Sequence, residues 1–357
     1  MIYITINPYN IDNIWYILGY ILKNFATVGM IVVISKNENN IIERREIKIN
    51  DPLPDNTIWI DLIEPEPSEE KYIEKILSIE APTEEEMDKF EVISPFYMEN
   101  DVEYMTVTIM DKACEDYPDS TAITFIMTKK YLITTRYDKP KSFDYLNSWI
   151  NRNKNKIYTP EYVLTTIIDF VVNCCADILE EVGNEIDGLL KVVFEKPIDR
   201  KKNSSGFYND IIRKIGHTGT IISKNRESLV SLSRMIIYFS QIDNARYMSK
   251  KDSRLRIKHI SREISSLSEY AKFLSQRNSF LLDATLGMIS VEQNIIIKVF
   301  TVAAAIIMPP TLIATVYGMN FKMMPELEWS FGYPLSLILI IISAIIPYLY
   351  FKRKGWL

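Results

Sequence analysis

The residues of this sequence best suited to holding a metal ion directly follow a long apolar run, and they read Tyr317, Gly318, Met319 and Asn320. The Asn320 side chain offers an amide carbonyl oxygen, and Gly318 leaves its backbone carbonyl open to close approach. Neutral oxygen acceptors of this kind suit a hydrated divalent cation. A ring of such groups would hold a hydrated dication without trapping it.

Two apolar segments flank this motif and must position it. Residues 295–317 carry one charge, Lys298, and residues 332–351 carry none. Each is as long as the roughly 20 apolar residues that a helix needs to cross a bilayer. Basic residues follow the second segment, which by the positive-inside rule puts both termini in the cytoplasm and the short connection outside. We therefore predict a first transmembrane helix at 295–317, an extracellular loop at 318–331, a second transmembrane helix at 332–351 and a cytoplasmic basic tail at 352–357.

The rest of the chain is predicted to be cytoplasmic and to form two parts. Over residues 1–155 short segments rich in β-branched and aromatic residues alternate with short helices, which is typical of an α/β or α+β domain. The predicted strands are 30–35, 57–62, 103–110, 121–128 and 131–137, and the predicted helices are 68–77 and 83–89.

Long helices are predicted to form a stalk over residues 156–294. No proline occurs between Pro197 and Pro309, and a proline-free stretch of this length favours uninterrupted helices. The last helix is predicted to continue without a break into the first transmembrane segment. Its apolar residues recur at spacings of three and four, which indicates packing in a helical bundle: Ile257, Ile260, Ile264, Leu267, Ala271, Leu274 and Leu281.

Composition excludes several classes of protein. With 3 Cys and 2 His in 357 residues, a disulfide framework and a zinc finger are ruled out, and the net charge of −5 disfavours a nucleic-acid partner. Residues 51–120 hold 21 acidic and 4 basic side chains, whereas residues 196–262 hold 16 basic and 5 acidic. Much of this is ordinary solvated surface. The alternatives are acidic faces that bind divalent cations, and a basic stretch that lies near anionic lipid or opposes the acidic domain.

The motif at 317–320, with the loop Met324-Pro325-Glu326-Leu327 and the tail Lys352-Arg353-Lys354-Gly355-Trp356-Leu357, resembles the CorA-type magnesium channels. The characteristic motif of this family is Gly-Met-Asn at the outer end of the first of two C-terminal membrane helices. The resemblance extends back to Trp59-Ile60-Asp61-Leu62, so that it covers the chain from about Trp59 to its end. It implies a homo-oligomeric funnel, expected to be a pentamer in the cell membrane. It also implies Mg²⁺ influx, with Co²⁺ as a possible second ion, and closure by cytoplasmic Mg²⁺ bound between subunits.

The first transmembrane helix carries a stripe that would line a pore. Steps of three and four residues place small, hydroxyl and amide side chains on one face: Asn294, Ile297, Thr301, Ala304, Met308, Thr311 and Thr315. By resemblance, an apolar constriction of the pore is expected at Ile297, Phe300, Ala304 and Met308. A ring of apolar side chains closes a pore by excluding water from it.

The remaining site residues are expected in the loop and in the cytoplasmic domain. Glu326 and Glu328 would raise the local cation concentration, although an ordinary exposed loop explains them equally well. By resemblance, regulatory Mg²⁺ would lie near Glu99, Asp101 and Glu103, and Asp283 near the cytoplasmic mouth of the pore.

Three other functions compete with Mg²⁺ influx. A zinc, cobalt or nickel transporter would use the same scaffold, but zinc-transporting relatives depart from Gly-Met-Asn. A membrane-anchored enzyme is disfavoured because the sequence has no Gly-rich phosphate loop, nucleophile elbow or His-centred acid–base group. A scaffold or sensor that does not conduct is disfavoured by the intact pore stripe.

Overall fold

The computed structural model describes residues 29–39, 41–87, 94–111, 118–153, 159–195, 204–242, 251–319, 325 and 329–356. The chain divides into two compact units. The first comprises Met1–Leu189 and Arg213–Ser279, and the second comprises Leu190–Ile212 and Phe280–Leu357.

A mixed sheet of seven strands forms the centre of the first unit, with the order β2-β1-β3-β7-β6-β5-β4. Neighbouring strands are antiparallel except for β3 and β7, which are parallel. The α+β character of the predicted domain is thus confirmed. The strands are β1 Met30–Lys36, β2 Ile42–Ile47, β3 Thr57–Ile63, β4 Phe96–Glu99, β5 Val102–Asp111, β6 Asp119–Met127 and β7 Leu132–Arg136.

The five predicted strands are all present, but the two edge strands were not predicted. The middle of β2 reads Glu43-Arg44-Arg45-Glu46, which lacks the apolar alternation of a half-buried strand. Such charges are common on edge strands because they discourage pairing with another chain. The other edge strand, β4, has only 4 residues and follows Pro95, so its local signal is weak.

Helices cover the sheet on both faces. Helix α1 (Pro67–Leu77) begins with a capping box between Glu66 and Glu69, and its Ile73 is fully buried in the main apolar cluster of the sheet. Helix α2 (Lys141–Arg152) was not predicted, because Pro140 at its N-cap makes no side-chain cap. Its Phe143 packs near Trp59 of β3, with 6.4 Å between the ring centroids.

Three long helices follow, and within the first unit they form a bundle: α3 Pro160–Glu195, α4 Ser204–Ile242 and α5 Lys251–Tyr317. Asn225 Nδ2 on α4 donates to the Cys175 carbonyl on α3 at 3.1 Å. Thr218 Oγ1 on α4 donates to Asn278 Oδ1 on α5 at 2.9 Å, and Asn278 Nδ2 donates to the Ile215 carbonyl at 3.0 Å. These buried polar bonds fix the register of α4 against both neighbours.

The predicted apolar stripe of α5 is confirmed. Six of its seven residues are buried, and Leu267 is half-buried. As predicted, α5 is one uninterrupted helix of 67 residues that includes Pro309 and Pro310. After it comes the last helix, α6 (Gly332–Arg353).

Among the residues that the structure describes, three helices are long and apolar enough to cross a membrane: α3, α5 and α6. More than half of the apolar stretch of α3 is buried by protein, whereas only 6% of the apolar stretch of α5 and of α6 is buried. Protein covers much of the apolar stretch of α3. The apolar side chains of α5 and α6 have no such cover and therefore require another apolar environment.

Candidate ion pathway

The C-terminal part of α5 presents one continuous exposed face. All of the side chains predicted to line a pore are exposed in the single chain. The exposed fractions are 60% for Ile297, 71% for Phe300 and 68% for Met308. None of the described residues covers this face, and apolar side chains this exposed are typical of a surface that meets lipid or another protein copy.

A second stripe of α5 is covered instead. Val302 is buried, and Ile306, Pro309 and Ile313 are half-buried. At 3.6 residues per turn, this stripe lies about 145° around the helix from the exposed one. The covered stripe therefore packs within the chain and leaves the predicted pore face on nearly the opposite side.

The covered face of α6 is made mostly of small residues. Gly332 and Ser336 are buried, and Ser343, Ala344 and Pro347 are half-buried. Small side chains allow close approach of helices that pack in lipid. At the opposite end of α6, the Lys298 ammonium nitrogen of α5 lies 5.9 Å from the ring centroid of Trp356.

Two threonines of the exposed face have their hydroxyl hydrogens engaged by the backbone. Thr311 Oγ1 donates to the Ile307 carbonyl at 2.8 Å, and Thr315 Oγ1 donates to the Thr311 carbonyl at 2.7 Å. A hydroxyl whose hydrogen is used in this way offers only its oxygen lone pairs to the outside. Both threonines therefore act as acceptors, which is the role that the water shell of a cation requires.

The helix ends at the start of the Gly-Met-Asn motif. The Gly318 N–H donates to the Ala314 carbonyl at 3.0 Å, and the Met319 N–H donates to the Val316 carbonyl at 3.3 Å. A Cβ added at Gly318 would lie 3.2 Å from the Ala314 oxygen, so even an alanine would be tightly placed. Three predicted site residues, Asn320, Glu326 and Glu328, lie outside the described residues.

The predicted regulatory carboxylates occupy two different environments. Glu99 and Asp101 are exposed at the β4–β5 turn, where Asn100 and Asp101 have φ values of 48° and 65°. Glu103 is only 2% exposed, and its Oε2 accepts a hydrogen bond from the Tyr238 hydroxyl at 2.8 Å. Asp283 is exposed on α5. Within the described part of a single chain, no group of three or more His, Cys, Asp or Glu residues is arranged to hold a metal.

One acidic feature of the first unit was not predicted. A cavity of about 700 Å³ is lined by glutamates from α1 and the segments after it: Glu70, Glu74, Glu80, Glu86 and Glu99. Burial raises the pKa of Glu70 above its ordinary value of 4.5, partly opposed by a hydrogen bond from Tyr137. Burial also raises the pKa of Tyr97, on the cavity wall, to about 12. The excess of acidic residues at 51–120 was visible in the sequence, but their convergence depends on the fold.

Comparison with known proteins decides the family. The family model described as CorA-like Mg²⁺ transporter protein matches residues 54–353, which include both exposed apolar helices. The chain belongs to this CorA-like family. The family is one of transporters rather than enzymes, in agreement with the expectation from the sequence.

Relatives and a solved structure agree with this assignment over nearly the whole chain. The magnesium transport protein CorA of Wolinella succinogenes is 31% identical over 333 residues, covering 92% of this chain and 100% of that protein. CorA of Escherichia coli K12 is 31% identical over 321 residues, covering 90% and 98%. The complete structure of the CorA magnesium transporter from Methanocaldococcus jannaschii has the same fold, with a TM-score of 0.72, 18% identity and coverage of 93% and 99%.

Proposed function

We propose that this CorA-like protein mediates Mg²⁺ influx across the cell membrane. The observation that carries the proposal is the family match over residues 54–353, which spans the soluble domain and both exposed helices. The relatives named above are magnesium transport proteins. The unpartnered face of α5 supports the same function, because it leads directly to the Gly-Met-Asn motif.

In this proposal the C-terminal part of α5 and all of α6 form a transmembrane hairpin, with both termini in the cytoplasm. Lys298 and the basic residues after α6 would then lie at the same membrane surface, as the positive-inside rule requires. The approach of Lys298 to Trp356 supports this arrangement, because an antiparallel pair of helices brings the start of one beside the end of the other.

A single hairpin cannot enclose a water-filled path, so several copies must assemble, and we propose a homopentamer. The exposed stripe of α5 would face the common axis, with α6 on the outside. Ile297, Phe300, Ala304 and Met308 would form the constriction, which excludes water and ions when it narrows. Thr311 and Thr315, further toward the outer end, would accept hydrogen bonds from the water shell of the ion.

Selection would take place at the outer end of α5. We propose that Gly318 carbonyls and Asn320 amides from all copies form a ring of neutral acceptors for hydrated Mg²⁺, with Met319 between them. Glu326 and Glu328 would attract cations to this ring by their charge. The alternative transported ions are Zn²⁺, Co²⁺ and Ni²⁺, and uptake measurements with each ion distinguish them from Mg²⁺.

Uptake of Mg²⁺ into vesicles containing the purified protein tests the function. We expect saturable uptake by the parent, and Asn320→Ala should abolish it without changing the mass of the oligomer, because every copy loses its amide oxygen at once. Met319→Leu is the matched control, since it changes the neighbouring side chain but retains the backbone carbonyl. Near-normal uptake by Asn320→Ala would show that the amide does not select the ion. Faster uptake of Zn²⁺ than of Mg²⁺ by the parent would favour the alternative cargo.

We further propose that cytoplasmic Mg²⁺ closes the pore. The acidic surface of residues 51–120 repels its counterpart in a neighbouring copy, and a bound dication would relieve that repulsion in the closed state. Mg²⁺ shifts the equilibrium only to the extent that it binds the closed state more tightly. Glu99 and Asp101 at the β4–β5 turn, and Asp283 near the pore mouth, are the proposed ligands, with Glu103 held by Tyr238 as a supporting residue.

Inhibition of uptake by Mg²⁺ on the cytoplasmic face tests the gating proposal. The double variant Glu99→Gln with Asp101→Asn should require a higher Mg²⁺ concentration for half-inhibition than the parent. Glu103→Gln should leave that concentration closer to the parent value, because Glu103 contributes through Tyr238. Inhibition of the double variant at the parent concentration would place the sensor elsewhere.

A further inference from the structure

The C-terminal end of α6 and the start of the exposed part of α5 share a compact group of cations and aromatic rings, here called the tail cluster. It consists of Lys298, Tyr350, Phe351, Lys354 and Trp356, and it belongs to the second compact unit. The transport proposal uses Lys298, Trp356 and the basic tail only to orient the hairpin in the membrane and assigns them no ligand.

A glycine in the left-handed backbone conformation forms the turn that brings the tail cluster together. Helix α6 ends at Arg353, and Gly355 then adopts a φ of 71°, which L side chains rarely adopt. The Gly355 N–H donates to the Lys352 carbonyl at 3.2 Å, and the Trp356 N–H donates to the Phe351 carbonyl at 3.1 Å. This turn is typical of helix C-termini, and it folds Trp356 back onto the helix. The Trp356 and Phe351 rings stack with their centroids 5.3 Å apart.

Two ammonium groups from different helices converge on the Trp356 ring. Lys298 Nζ lies 5.9 Å from its centroid, and Lys354 Nζ lies 5.4 Å from it. Lys354 Nζ also lies 3.4 Å from the Tyr350 hydroxyl. Within the part of the chain that the structure describes, neither lysine has a carboxylate partner. Two positive charges thus lie around one ring with no described carboxylate beside them, so an anionic group that reaches both would be attracted by each.

We propose that the tail cluster binds the phosphate of an anionic phospholipid in the cytoplasmic leaflet. This rests on the proposed function, in which α5 and α6 cross the membrane. Lysines bind phosphate as point charges, and an indole ring favours the headgroup level of a bilayer. Basic pockets between transmembrane helices on the cytoplasmic side are known to suit such headgroups.

The surroundings of the tail cluster favour a lipid over a soluble phosphate compound. The preceding turns of α6 expose large apolar side chains, with Ile345 47%, Ile346 61% and Leu349 50% exposed. A ligand with acyl chains would cover these side chains while its phosphate contacts Lys298 and Lys354. A small hydrophilic phosphate compound would leave them uncovered.

Binding at this position would act directly on the pore helix. Lys298 follows Ile297 and precedes Phe300 by two residues, and both of these belong to the proposed constriction. One residue corresponds to a rotation of about 100°, so that Lys298 lies to the side of the proposed pore face while sharing its helical turn. A bound lipid would therefore tie the end of α6 to α5 beside the constriction.

Binding of short-chain lipids to the full-length protein in a neutral detergent, followed by native mass spectrometry, tests the proposal. Dioctanoyl phosphatidylglycerol should bind more tightly than dioctanoyl phosphatidylcholine. Lys298→Gln and Lys354→Gln should each weaken phosphatidylglycerol binding about fivefold.

Lys352→Gln is the matched control: it removes the same charge from the same tail, but the Lys352 ammonium lies 5.8 Å from the Tyr348 ring. It should weaken binding less than twofold. Gly355→Ala, which retains every charge but strains the turn, should also weaken binding.

Several outcomes would overturn the proposal. Equal losses for Lys298→Gln, Lys354→Gln and Lys352→Gln would indicate diffuse attraction rather than a site. Glycerol 3-phosphate binding as tightly as phosphatidylglycerol would indicate a soluble ligand. The mass of each variant oligomer reports whether it is folded, and any variant with an altered mass is replaced by the corresponding Lys→Met variant. Absence of Mg²⁺ uptake together with specific lipid binding would refute the transport proposal and leave the lipid site standing.

Discussion

At the scale of single residues, Asp61 shows how this fold accommodates a buried charge. Its Oδ1 accepts hydrogen bonds from Thr134 Oγ1 at 2.6 Å and from Arg136 Nε at 3.1 Å, and its Oδ2 accepts one from Arg136 Nη2 at 2.9 Å. The Trp59 indole donates to Thr134 at 2.9 Å, and the guanidinium lies 4.3 Å from the ring centroid of Phe143. Both charges are therefore paired, and the network joins β3 to β7 and α2.

Removing one partner of this pair should be costly. Asp61→Ala would leave Arg136 buried and uncompensated, and we expect the free energy of unfolding to fall by about 3–5 kcal/mol. Denaturant unfolding of the solubilised protein, followed by tryptophan fluorescence, measures the change. Lys139→Ala is the control, because it breaks a pair at 2.6 Å between an exposed lysine and the half-buried Glu64, which should contribute less than about 1 kcal/mol. Similar small losses in both variants would show that the Asp61 network is dispensable.

Glu70 should make stability depend on pH. Burial raises its pKa in the folded state, the hydrogen bond from Tyr137 opposes this, and Glu74 and Glu86 raise it further. The folded state therefore retains the Glu70 proton to a higher pH than the unfolded state, and this contribution to stability is lost as pH rises through the folded pKa. We expect Glu70→Gln to be more stable than the parent at pH 7 and equal to it at pH 4, as measured by thermal unfolding. Equal stability at both values would contradict the prediction.

At the scale of elements, packing distinguishes α3 from α5 although both are long and apolar. More than half of the apolar stretch of α3 is buried by protein, whereas only 6% of that of α5 is buried. One side of α5 is covered and the nearly opposite side carries the predicted pore residues. The hydroxyls of Thr311 and Thr315 on that exposed side are oriented by carbonyls of their own helix, so the helix itself sets which atoms it presents.

Replacing Thr315 by valine should slow Mg²⁺ uptake. Valine retains the shape of threonine but removes the oxygen that would accept a hydrogen bond from the ion's water shell. A bond of ordinary net strength corresponds to about a two- to tenfold reduction in rate. Thr315→Ser retains the hydroxyl and should keep most of the activity. If both variants transport as fast as the parent, the hydroxyl only satisfies the Thr311 carbonyl.

At the scale of the whole molecule, two exposed apolar helices and the exposed face predicted to line a pore lead us to expect that a single chain is incomplete. The second compact unit contains α6 and the apolar part of α5, and in the proposed assembly their exposed side chains contact lipid on one side and other copies of the chain on the other. A heterologous contact repeated around an axis closes into a ring, which satisfies every copy in the same way.

The purified protein should therefore be a homo-oligomer, and we expect five copies. Light scattering of the solubilised protein, with the detergent contribution subtracted, should give about five times the chain mass of 41.6 kDa. A monomer or a dimer would contradict the pore, because neither can surround a water-filled path with the α5 stripe.

The sequence alone determined the features that depend on neighbouring residues. Apolar length and period predicted the uninterrupted α5 and its buried stripe, because helix geometry places residues three and four apart on one face. Alternating β-branched segments predicted the five inner strands. The Gly318-Met319-Asn320 motif at the end of an apolar helix, together with the loop at 324–327 and the basic tail, indicated the family, which the comparison confirmed.

Only the tertiary structure decided which distant residues meet. The edge strands β2 and β4 exist because neighbouring strands pair with them, since their own residues favour strands only weakly. Glu103, which the sequence placed with Glu99 and Asp101, is buried against Tyr238 on a helix more than a hundred residues away. Lys298 and Trp356 meet only because α6 ends in a left-handed turn beside α5. Such pairings depend on the folded positions of elements far apart in the chain, and local spacing carries no information about them.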